Sequence, residues 1–349
     1  MLHKDVRIPF QPKNSYSYGD IGLKPIYLST IGSRKDVNPG TIFLDLPLSL
    51  PIVTAPMEKV VSYDMAATLH KLGGLAILPR TYSAYRDAEL LLALEQDLAK
   101  EHYVGIPSIP AKDSYFSGRV FPSTFAVCID VANGFHTHIE QTVKILKQEF
   151  PKIKIIAGNV ASLEGFLYLT ELGIDAVRVG IGSGSVCSTS IATGIGVGQA
   201  SLIREIAECK MSINLPTPAL IADGGIKTAG DIVKAIALGA DVVMVGNLFA
   251  GTDEAPGDII IHEGKKYKHF AGQASMHIKG TNTFVEGADV LVPYKKSVSD
   301  VWRALDDGIR SGMAYMNCQH LHELHYLPDE AFVLLGDAAK FERGIHANK

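Results

Sequence analysis

Eight short apolar runs between residues 51 and 245 constrain the fold more than any other feature of this chain. They are rich in Val, Ile, Leu and Ala and mostly do not alternate with polar residues, so each predicts a strand buried on both faces. The runs are Pro51–Thr54, Leu75–Leu78, His102–Gly105, Phe125–Ile129, Lys154–Ala157, Ala176–Val179, Ala219–Ala222 and Val242–Val245.

Amphipathic stretches with helical periodicity lie between several of these runs. They include His138–Glu149, Leu163–Leu172, Leu202–Cys209 and Gly230–Ala237. Alternation of buried strands with helices predicts an α/β protein, and eight strands favour a (β/α)8 TIM barrel. A doubly wound open sheet is the alternative, because periodicity does not show whether the strands close into a ring.

The chain shows no internal repeat, low-complexity segment or long linker, so residues 1–349 are predicted to form one catalytic domain. Two segments fall outside the alternation. Residues 267–296 are rich in Gly, Thr and Asn and predict a mobile flap over a site. Residues 301–349 predict a helical C-terminal tail.

Composition excludes several classes of protein. The chain carries 33 basic and 37 acidic side chains, a net charge of −4, whereas nucleic-acid binders carry basic patches. No apolar stretch approaches the roughly 18 residues of a membrane span. The N-terminus lacks the apolar core of a signal peptide, and the four cysteines lie far apart without a CxxC pair. We therefore expect reduced thiols and a cytoplasmic location.

The glycine-rich segment that follows the sixth run is the most informative stretch for function. It reads VRVGIGSGSVCSTS and places Ser185, Cys187 and Thr189 just beyond a predicted strand. Glycines let the backbone approach a ligand and form concavities of N–H groups that hold anions. Cys187 is thus placed to be a nucleophile at the carboxyl end of a barrel strand. An inert thiol in a common type of loop is the alternative.

The seventh and eighth runs end in a second group of candidate residues. Asp223 closes one run and precedes Gly224 and Gly225, and Gly246 and Asn247 follow the next. An acid for sugar hydroxyls beside glycine amides for phosphate suits a phosphorylated ligand, and TIM barrels often bind phosphate at their last two loops. Capping and turn formation are the alternative for either loop alone.

Asp130 and Asn159 also follow predicted strands and should face the same mouth. They could bond a ligand there, or merely cap the next helix.

A group of Cys and His residues near the C-terminus resembles a metal site in its composition. The segment CQHLHELH holds Cys318, His320, His322 and His325, but only one pair shares a helix face. Because a zinc site needs three or four converging ligands, a solvated helix face is the preferred interpretation.

Six motifs, in chain order AGNVAS, GSGSVCST, IADGG, GTDEAPGD, YKHFAGQAS and VPYKKS, resemble those of the IMP dehydrogenase/GMP reductase superfamily. The likeness runs from about Tyr18 to Tyr315. It implies a TIM barrel, a purine nucleotide substrate, a nicotinamide cofactor, and a covalent bond between Cys187 and C2 of the purine.

Three features resemble the reductase branch. The dehydrogenases activate water with an Arg-Tyr pair on the flap, and no arginine occurs between Arg204 and Arg303. The chain passes from Arg80 to Val104 without a regulatory CBS insert. CIDVANG, SRKDV and the VEG triplet that contains Glu286 also look like reductase versions.

Other positions resemble the dehydrogenases or depart from both branches. Pro56 stands where reductases tend to have asparagine, and Gln273 where a methionine normally touches the purine. Phe270 replaces a tyrosine that commonly bonds the phosphate.

The resemblance therefore implies a GMP reductase, which converts GMP to IMP and ammonia with NADPH. The alternatives are oxidation of IMP or a related purine nucleotide with NAD, and a non-catalytic nucleotide-binding protein. The resemblance also implies a homotetramer and a monovalent cation such as K+.

The residue roles that the resemblance implies fall into four groups. The catalytic residues are Cys187, Thr189 and Glu286. The nucleotide-binding residues are Ser185, Asp223, Gly224, Gly225, Gly246, Asn247, Gly272, Gln273, Ala274 and Ser275. The cofactor-binding residues are Asp130, Asn133, Asn159 and Arg80. Backbone carbonyls of Gly182, Gly184 and Cys187 would hold the cation.

Overall fold

Parallel strands form the centre of the protein in a computed structural model that describes residues 13–80, 105–111, 124–213, 216–272 and 287–342. The strands described are β1 (Ile21–Leu23), β2 (Thr41–Phe43), β3 (Leu46–Leu48), β4 (Ile52–Thr54), β5 (Ala76–Ile77), β6 (Gly105–Ile106), β7 (Ser108–Ile109), β8 (Ala126–Asp130), β9 (Lys154–Val160), β10 (Ala176–Val179), β11 (Ala219–Asp223), β12 (Val242–Val245), β13 (Ile260–His262), β14 (Lys265–Ala271), β15 (Asp289–Pro293) and β16 (Phe332–Leu334).

Helices connect many of these strands. Those described are α1 (Tyr63–Lys71), α2 (Thr137–Glu149), α3 (Leu163–Glu171), α4 (Thr189–Thr193), α5 (Gln199–Ser212), α6 (Ala229–Ala237), α7 (Val298–Tyr315) and α8 (Asp337–Glu342). Short 3-10 helices cover Tyr18–Asp20, Arg34–Asp36, Leu321–Tyr326 and Asp329–Ala331. In the described ranges, no helix combines the length and apolarity needed to span a membrane.

Successive strand pairings form a continuous series around a curled parallel sheet. Seven strands pair in the order β4-β12-β11-β10-β9-β8-β7. A single residue separates β7 from β6, which pairs with β5. The backbone next to β5 returns to β4, where Val53 and Leu75 form a bridge. The pairings thus form a ring, as a (β/α)8 barrel requires, whereas the doubly wound alternative leaves two free edges.

The predicted runs and the observed strands agree closely. Seven of the eight runs contain or overlap a strand of this sheet system, and the eighth, His102–Gly105, is described only at Gly105, where β6 begins. The strands are buried on both faces because helices cover the outside. On α7, for instance, Val298, Trp302, Leu305 and Ile309 form one buried stripe, which is the pattern of an amphipathic helix against a core.

The two segments outside the alternation differ from their predictions. Within residues 267–296, predicted to be a loop, β14 and β15 pair antiparallel from Tyr267 opposite Pro293 to Ala271 opposite Asp289. The predicted helical tail is interrupted after Tyr315: short 3-10 helices and α8 follow, and its β16 pairs with β1. The helix ends there because Asn317 adopts a left-handed conformation, with φ of 56°, which terminates helices.

Candidate active site

A cavity of about 250 Å³ opens at the carboxyl ends of the parallel strands. Loops after β4, β8, β9, β10, β11 and β12 supply most of its walls, because parallel strands present all their carboxyl ends at one rim. It is lined by Ala55, Pro56, Met57, Arg80, Asp130, Val131, Ala132, Asn159, Arg178, Gly180, Ile181, Gly182, Ser183, Gly184, Ser185, Val186, Cys187, Thr189, Asp223, Gly224, Gly225, Ile226, Met244, Gly246, Asn247, Phe270 and Gly272.

Cys187 lies half-buried in this cavity. Its backbone N–H donates to the Gly184 carbonyl at 3.1 Å, which folds the glycine-rich segment into a tight turn. The Cys187 thiol donates to the Thr189 hydroxyl across 3.2 Å. Thr189 begins α4, so the hydroxyl is held by a short helix directly beside the sulfur. A hydroxyl so placed can pass a proton to or from a group that reacts at the sulfur.

The base of the predicted flap is joined to this cysteine loop. Cys187 and Gly287 form an antiparallel bridge, and the Ala288 N–H donates to the Val186 carbonyl at 2.9 Å. The Gly272 N–H in turn donates to the Ala288 carbonyl at 3.0 Å. Both chain ends flanking residues 273–286 therefore meet beside the sulfur. Glu286, Gln273, Ala274 and Ser275 lie outside the described residues.

Arg178 is the main site residue that the sequence analysis missed. It lies on β10, and its side chain is only 7 % exposed. One guanidinium nitrogen is 2.5 Å from an Asp130 oxygen, and two others are 2.9 and 3.2 Å from an Asp223 oxygen. Burial alone lowers the pKa of Arg178, but the charges of Asp130 and Asp223 outweigh it, and the net shift is upward. The guanidinium therefore holds both carboxylates in the wall of the cavity.

Two predicted cofactor residues extend this network. The Asn159 side-chain amide donates to Asp223 at 2.7 Å and to the Gly180 carbonyl at 2.8 Å. On the other side, the Arg80 Nε lies 3.4 Å from an Asp130 oxygen. The structure thus brings Arg80, Asp130, Asn159 and Asp223 together, with Arg178 at their centre.

The paired glycines after β11 adopt conformations that favour glycine. Gly224 and Gly225 have φ of 102° and 78°, and a Cβ on Gly224 would lie 2.3 Å from the Ser183 hydroxyl oxygen. The turn that carries Asp223 therefore packs directly against the cysteine loop. Beneath it lies the Tyr18 ring, whose buried hydroxyl has no partner within the described residues. Burial, and then the charges of Asp231 and Asp223, raise the pKa of Tyr18 above its ordinary value.

A turn after β12 completes the wall. The Gly246 carbonyl accepts from the N–H groups of Phe249 and Ala250 at 3.1 and 2.9 Å. In the part of the chain that the structure describes, the N–H groups of Asn247 and Leu248 have no acceptor. Free N–H groups in a turn suit an anion. Phe270 is buried beside Gly246 and contributes no polar group.

The predicted cation ligands have unused acceptor capacity. Among the described residues, no donor reaches the carbonyl oxygens of Gly182 and Cys187, and the Gly184 carbonyl accepts only from Cys187. Carbonyl oxygens suit hard cations, so this loop fits a monovalent cation.

Asn133 lies away from the cavity. Its exposed side chain accepts from the Phe135 N–H at 3.0 Å and shapes a turn. Its role toward a cofactor stays a prediction.

The group of His and Cys near the C-terminus does not form a metal site in the described structure. Cys318 is buried, and burial raises the pKa of its thiol to about 11. His325 instead contacts the Ala240 carbonyl at 3.0 Å. Across the described ranges, no three His, Cys, Asp or Glu side chains are placed to hold a metal ion.

Comparison with known proteins identifies the family. Residues 15–346 match the model of the IMP dehydrogenase / GMP reductase domain. The chain belongs to this family. Its domain is a TIM barrel, in agreement with the ring of strand pairings. Family membership makes the chain an oxidoreductase, with a purine nucleotide as the expected substrate class and a nicotinamide cofactor implied.

Several relatives that align with most of this chain are named GMP reductase. A GMP reductase of Lactobacillus johnsonii is 34% identical over 308 residues, covering 86% of this chain and 90% of the relative. A GMP reductase of Ligilactobacillus salivarius is 34% identical over 310 residues, covering 88% and 93%. An inosine-5′-monophosphate dehydrogenase of Aquifex aeolicus is 43% identical over 211 residues, but these are 57% of this chain and 42% of that one.

Proposed function

We propose that the protein is a GMP reductase, which converts GMP and NADPH to IMP, ammonia and NADP. The observation that carries the proposal is the Cys187 thiol, 3.2 Å from the Thr189 hydroxyl in a cavity with an acid and free N–H groups for a ribose phosphate. Relatives named GMP reductase match this chain almost from end to end, which supports the reductase over the dehydrogenase.

The chain's own residues support the same choice. A dehydrogenase must activate water to hydrolyse its covalent intermediate, and the resemblance assigns that task to a flap arginine. Between Arg204 and Arg303 the chain has none. A reductase must instead release ammonia, for which a hydroxyl and a carboxyl group suffice as acid catalysts.

In the first half of the proposed reaction, the Cys187 sulfur forms a bond to C2 of GMP, and the bond from C2 to the exocyclic nitrogen breaks. Thr189 and Glu286 protonate and hold that nitrogen, which leaves as ammonia. Glu286 is covalently joined to Gly287, the residue that pairs with Cys187, so chain connectivity supports this assignment. The covalent bond divides one difficult substitution into two easier steps.

In the second half, Cys187 leaves C2 as its carbon–sulfur bond breaks, and a bound nicotinamide would supply the hydride that replaces it. The protein positions the two reactants through the Arg178 network. Asp223 accepts from the ribose hydroxyls of the nucleotide. Asp130 and Asn159 face the cofactor, and Arg178 joins Asp130 to Asp223, to which the Asn159 amide also donates.

The remaining details of the proposal follow the resemblance. Arg80 orients the cofactor and does not transfer protons, because an arginine stays protonated. The carbonyls of Gly182, Gly184 and Cys187 hold K+. The homotetramer and the cytoplasmic location stay predictions, and light scattering of the purified protein measures the first.

Two observations favour a second candidate, oxidation of IMP with NAD. Identity to the dehydrogenase relative reaches 43% over the shared segment, and Pro56 in the cavity wall resembles that branch. This candidate needs a rebuilt water-activating group, and Arg80 is the cavity residue to examine.

The change in nicotinamide absorbance, measured with GMP plus NADPH and with IMP plus NAD, distinguishes the two functions. We expect NADPH consumption with GMP, matched by ammonia release, and no NAD reduction with IMP. Cys187→Ala should abolish turnover, and the control Cys209→Ala, on α5 outside the cavity, should not. NAD reduction with IMP alone would transfer the proposal to the dehydrogenase.

A further inference from the structure

Lys295 is a cation of the described structure that the proposed reaction leaves unused. It follows β15, and its amine donates to the carbonyl oxygens of Asn247 and Leu248, the latter at 3.3 Å. Its backbone N–H donates to the Gly251 carbonyl at 2.9 Å. The side chain is thus fixed at both ends against the turn that follows β12.

No carboxylate neutralises this amine within the described residues. Its only polar partners there are the two carbonyls. The acids that follow the turn at Asn247 and Leu248 in the chain are occupied elsewhere: Asp253 accepts from the Tyr294 hydroxyl, and Glu254 accepts from Ser297 and Val298. Burial lowers the pKa of the Lys295 amine to about 8. A partly buried cation without a protein counter-ion is costly unless an anion comes close.

The geometry of the peptide unit shows where that anion would bind. In a trans peptide the C=O and N–H groups point in opposite directions. Because the Asn247 carbonyl accepts from Lys295, the N–H of the same peptide unit, which belongs to Leu248, points away from the amine. That N–H and the N–H of Asn247 have no acceptor in the described part of the chain, and Asn247 lines the cavity.

We propose that Lys295 is a positioning residue for the phosphate group of the nucleotide. It holds the peptide unit between Asn247 and Leu248 so that its N–H faces the phosphate, and it contributes positive charge from behind the turn. The inference rests on the proposed function only in taking this cavity to bind a nucleotide. It makes Lys295 a determinant of preference for nucleotides over nucleosides.

The test is calorimetric titration of the whole protein with GMP and with guanosine, which differ only in the phosphate. Lys295→Met removes the charge and keeps the length of the side chain, and Lys295→Arg keeps the charge. Lys296→Met is the matched control, because Lys296 is the neighbouring residue and its side chain is exposed. Thermal melting checks the fold, and Lys295→Gln is the second variant if Lys295→Met does not fold.

We expect Lys295→Met to weaken GMP binding about tenfold, the loss typical of a hydrogen bond that involves a charged group. Lys295→Arg should recover most of this affinity, Lys296→Met should match wild type, and guanosine should bind all variants equally. Unchanged GMP affinity in Lys295→Met would overturn the inference. An equal loss for GMP and guanosine would also overturn it, since Lys295 would then act on the general shape of the site.

Failure of the proposed function gives a different result. The wild-type protein would then bind a purine nucleotide without consuming NADPH in the presence of GMP. If it binds IMP but not GMP, the same comparison with IMP and inosine decides the role of Lys295. A wild-type protein that binds neither nucleotide would overturn both proposals.

Discussion

Replacing Arg178 by methionine tests the organisation of the site most directly. The substitution keeps an apolar stem of similar length but removes the guanidinium that joins Asp130 to Asp223. Asp223 then loses the guanidinium beside it, and the counter-charge that stays near Asp130 is Arg80, whose Nε lies 3.4 Å away. Removing one partner of a buried ion pair costs about 3–5 kcal/mol. The Asp130 and Asp223 side chains are 12% and 16% exposed, so some water reaches them and we expect the lower figure, about 3 kcal/mol.

That loss should be visible in the melting temperature. For 349 residues the entropy of unfolding is about 0.7 kcal/mol/K, so the expected decrease in Tm is about 4 °C. We also expect kcat/KM to fall about 100-fold, because both carboxylates lose their fixed positions. A displacement of about 1 Å at a site can have an effect of that size. The assays are calorimetric melting and initial rates of NADPH consumption.

Two companion variants isolate the cause. Arg178→Lys keeps the charge but lacks the fork that reaches both acids, so it should fall between wild type and methionine. Adding Asp130→Asn to Arg178→Met removes one of the two negative charges that Arg178 holds together and should restore part of the lost Tm. If Arg178→Met has the melting temperature and the kcat/KM of the wild type, Arg178 does not organise the site and the reasoning is refuted.

Three further predictions concern the thiols, the sheet and the acid catalyst. Burial raises the pKa of the Cys128 thiol to about 11, as for Cys318, so iodoacetamide at pH 7.5 should label Cys187 and leave these two unmodified. Peptide mapping checks this, and GMP should slow the labelling of Cys187. Gly158→Ala should lower the free energy of unfolding by about 1–3 kcal/mol, which is the cost of overpacking. The reason is that the new Cβ would lie 2.5 Å from a side-chain carbon on β10. Denaturant titration measures the free energy, and an unchanged midpoint would contradict the close packing. Thr189→Val removes the hydroxyl beside the sulfur and should lower kcat at least about 100-fold with GMP affinity unchanged; a rise in the dissociation constant alone would make Thr189 a binding residue.

The fold was predictable where its signal is local. Runs such as Ala176–Val179 are apolar because both faces of the sheet are covered, and that property is visible in any short window. The pairing of β4 with β12 and of β1 with β16 has no such window, since the partners are far apart in sequence. The content of Gly, Thr and Asn in residues 267–296 predicts a loop, and it carries no signal for the antiparallel pairing of β14 with β15.

In the candidate site, too, local sequence predicts some residues and not others. The position of Cys187, Asp223 and Gly246 at the cavity was predictable, because each lies at or after the end of a strand and parallel strands end at one rim. Arg178 was missed because it lies inside an apolar run, where sequence does not show what a charged side chain faces. Its presence there was nevertheless a signal, because a buried arginine requires carboxylate partners. The partnership of Lys295 with the turn after β12 also depends on tertiary structure alone.

The pairing that closes the ring has a consequence for synthesis of the chain. Ile52 pairs with Val243, so β4 leaves the ribosome long before its neighbour exists. Until β12 is made, the nascent sheet keeps unpaired edges of the kind that invite aggregation. The turn that follows β12, and the lysine that holds it, come later still. The wall that we propose binds the nucleotide is therefore completed only after the sheet is sealed, and a chain released before residue 245 would keep an unpaired sheet edge at β4.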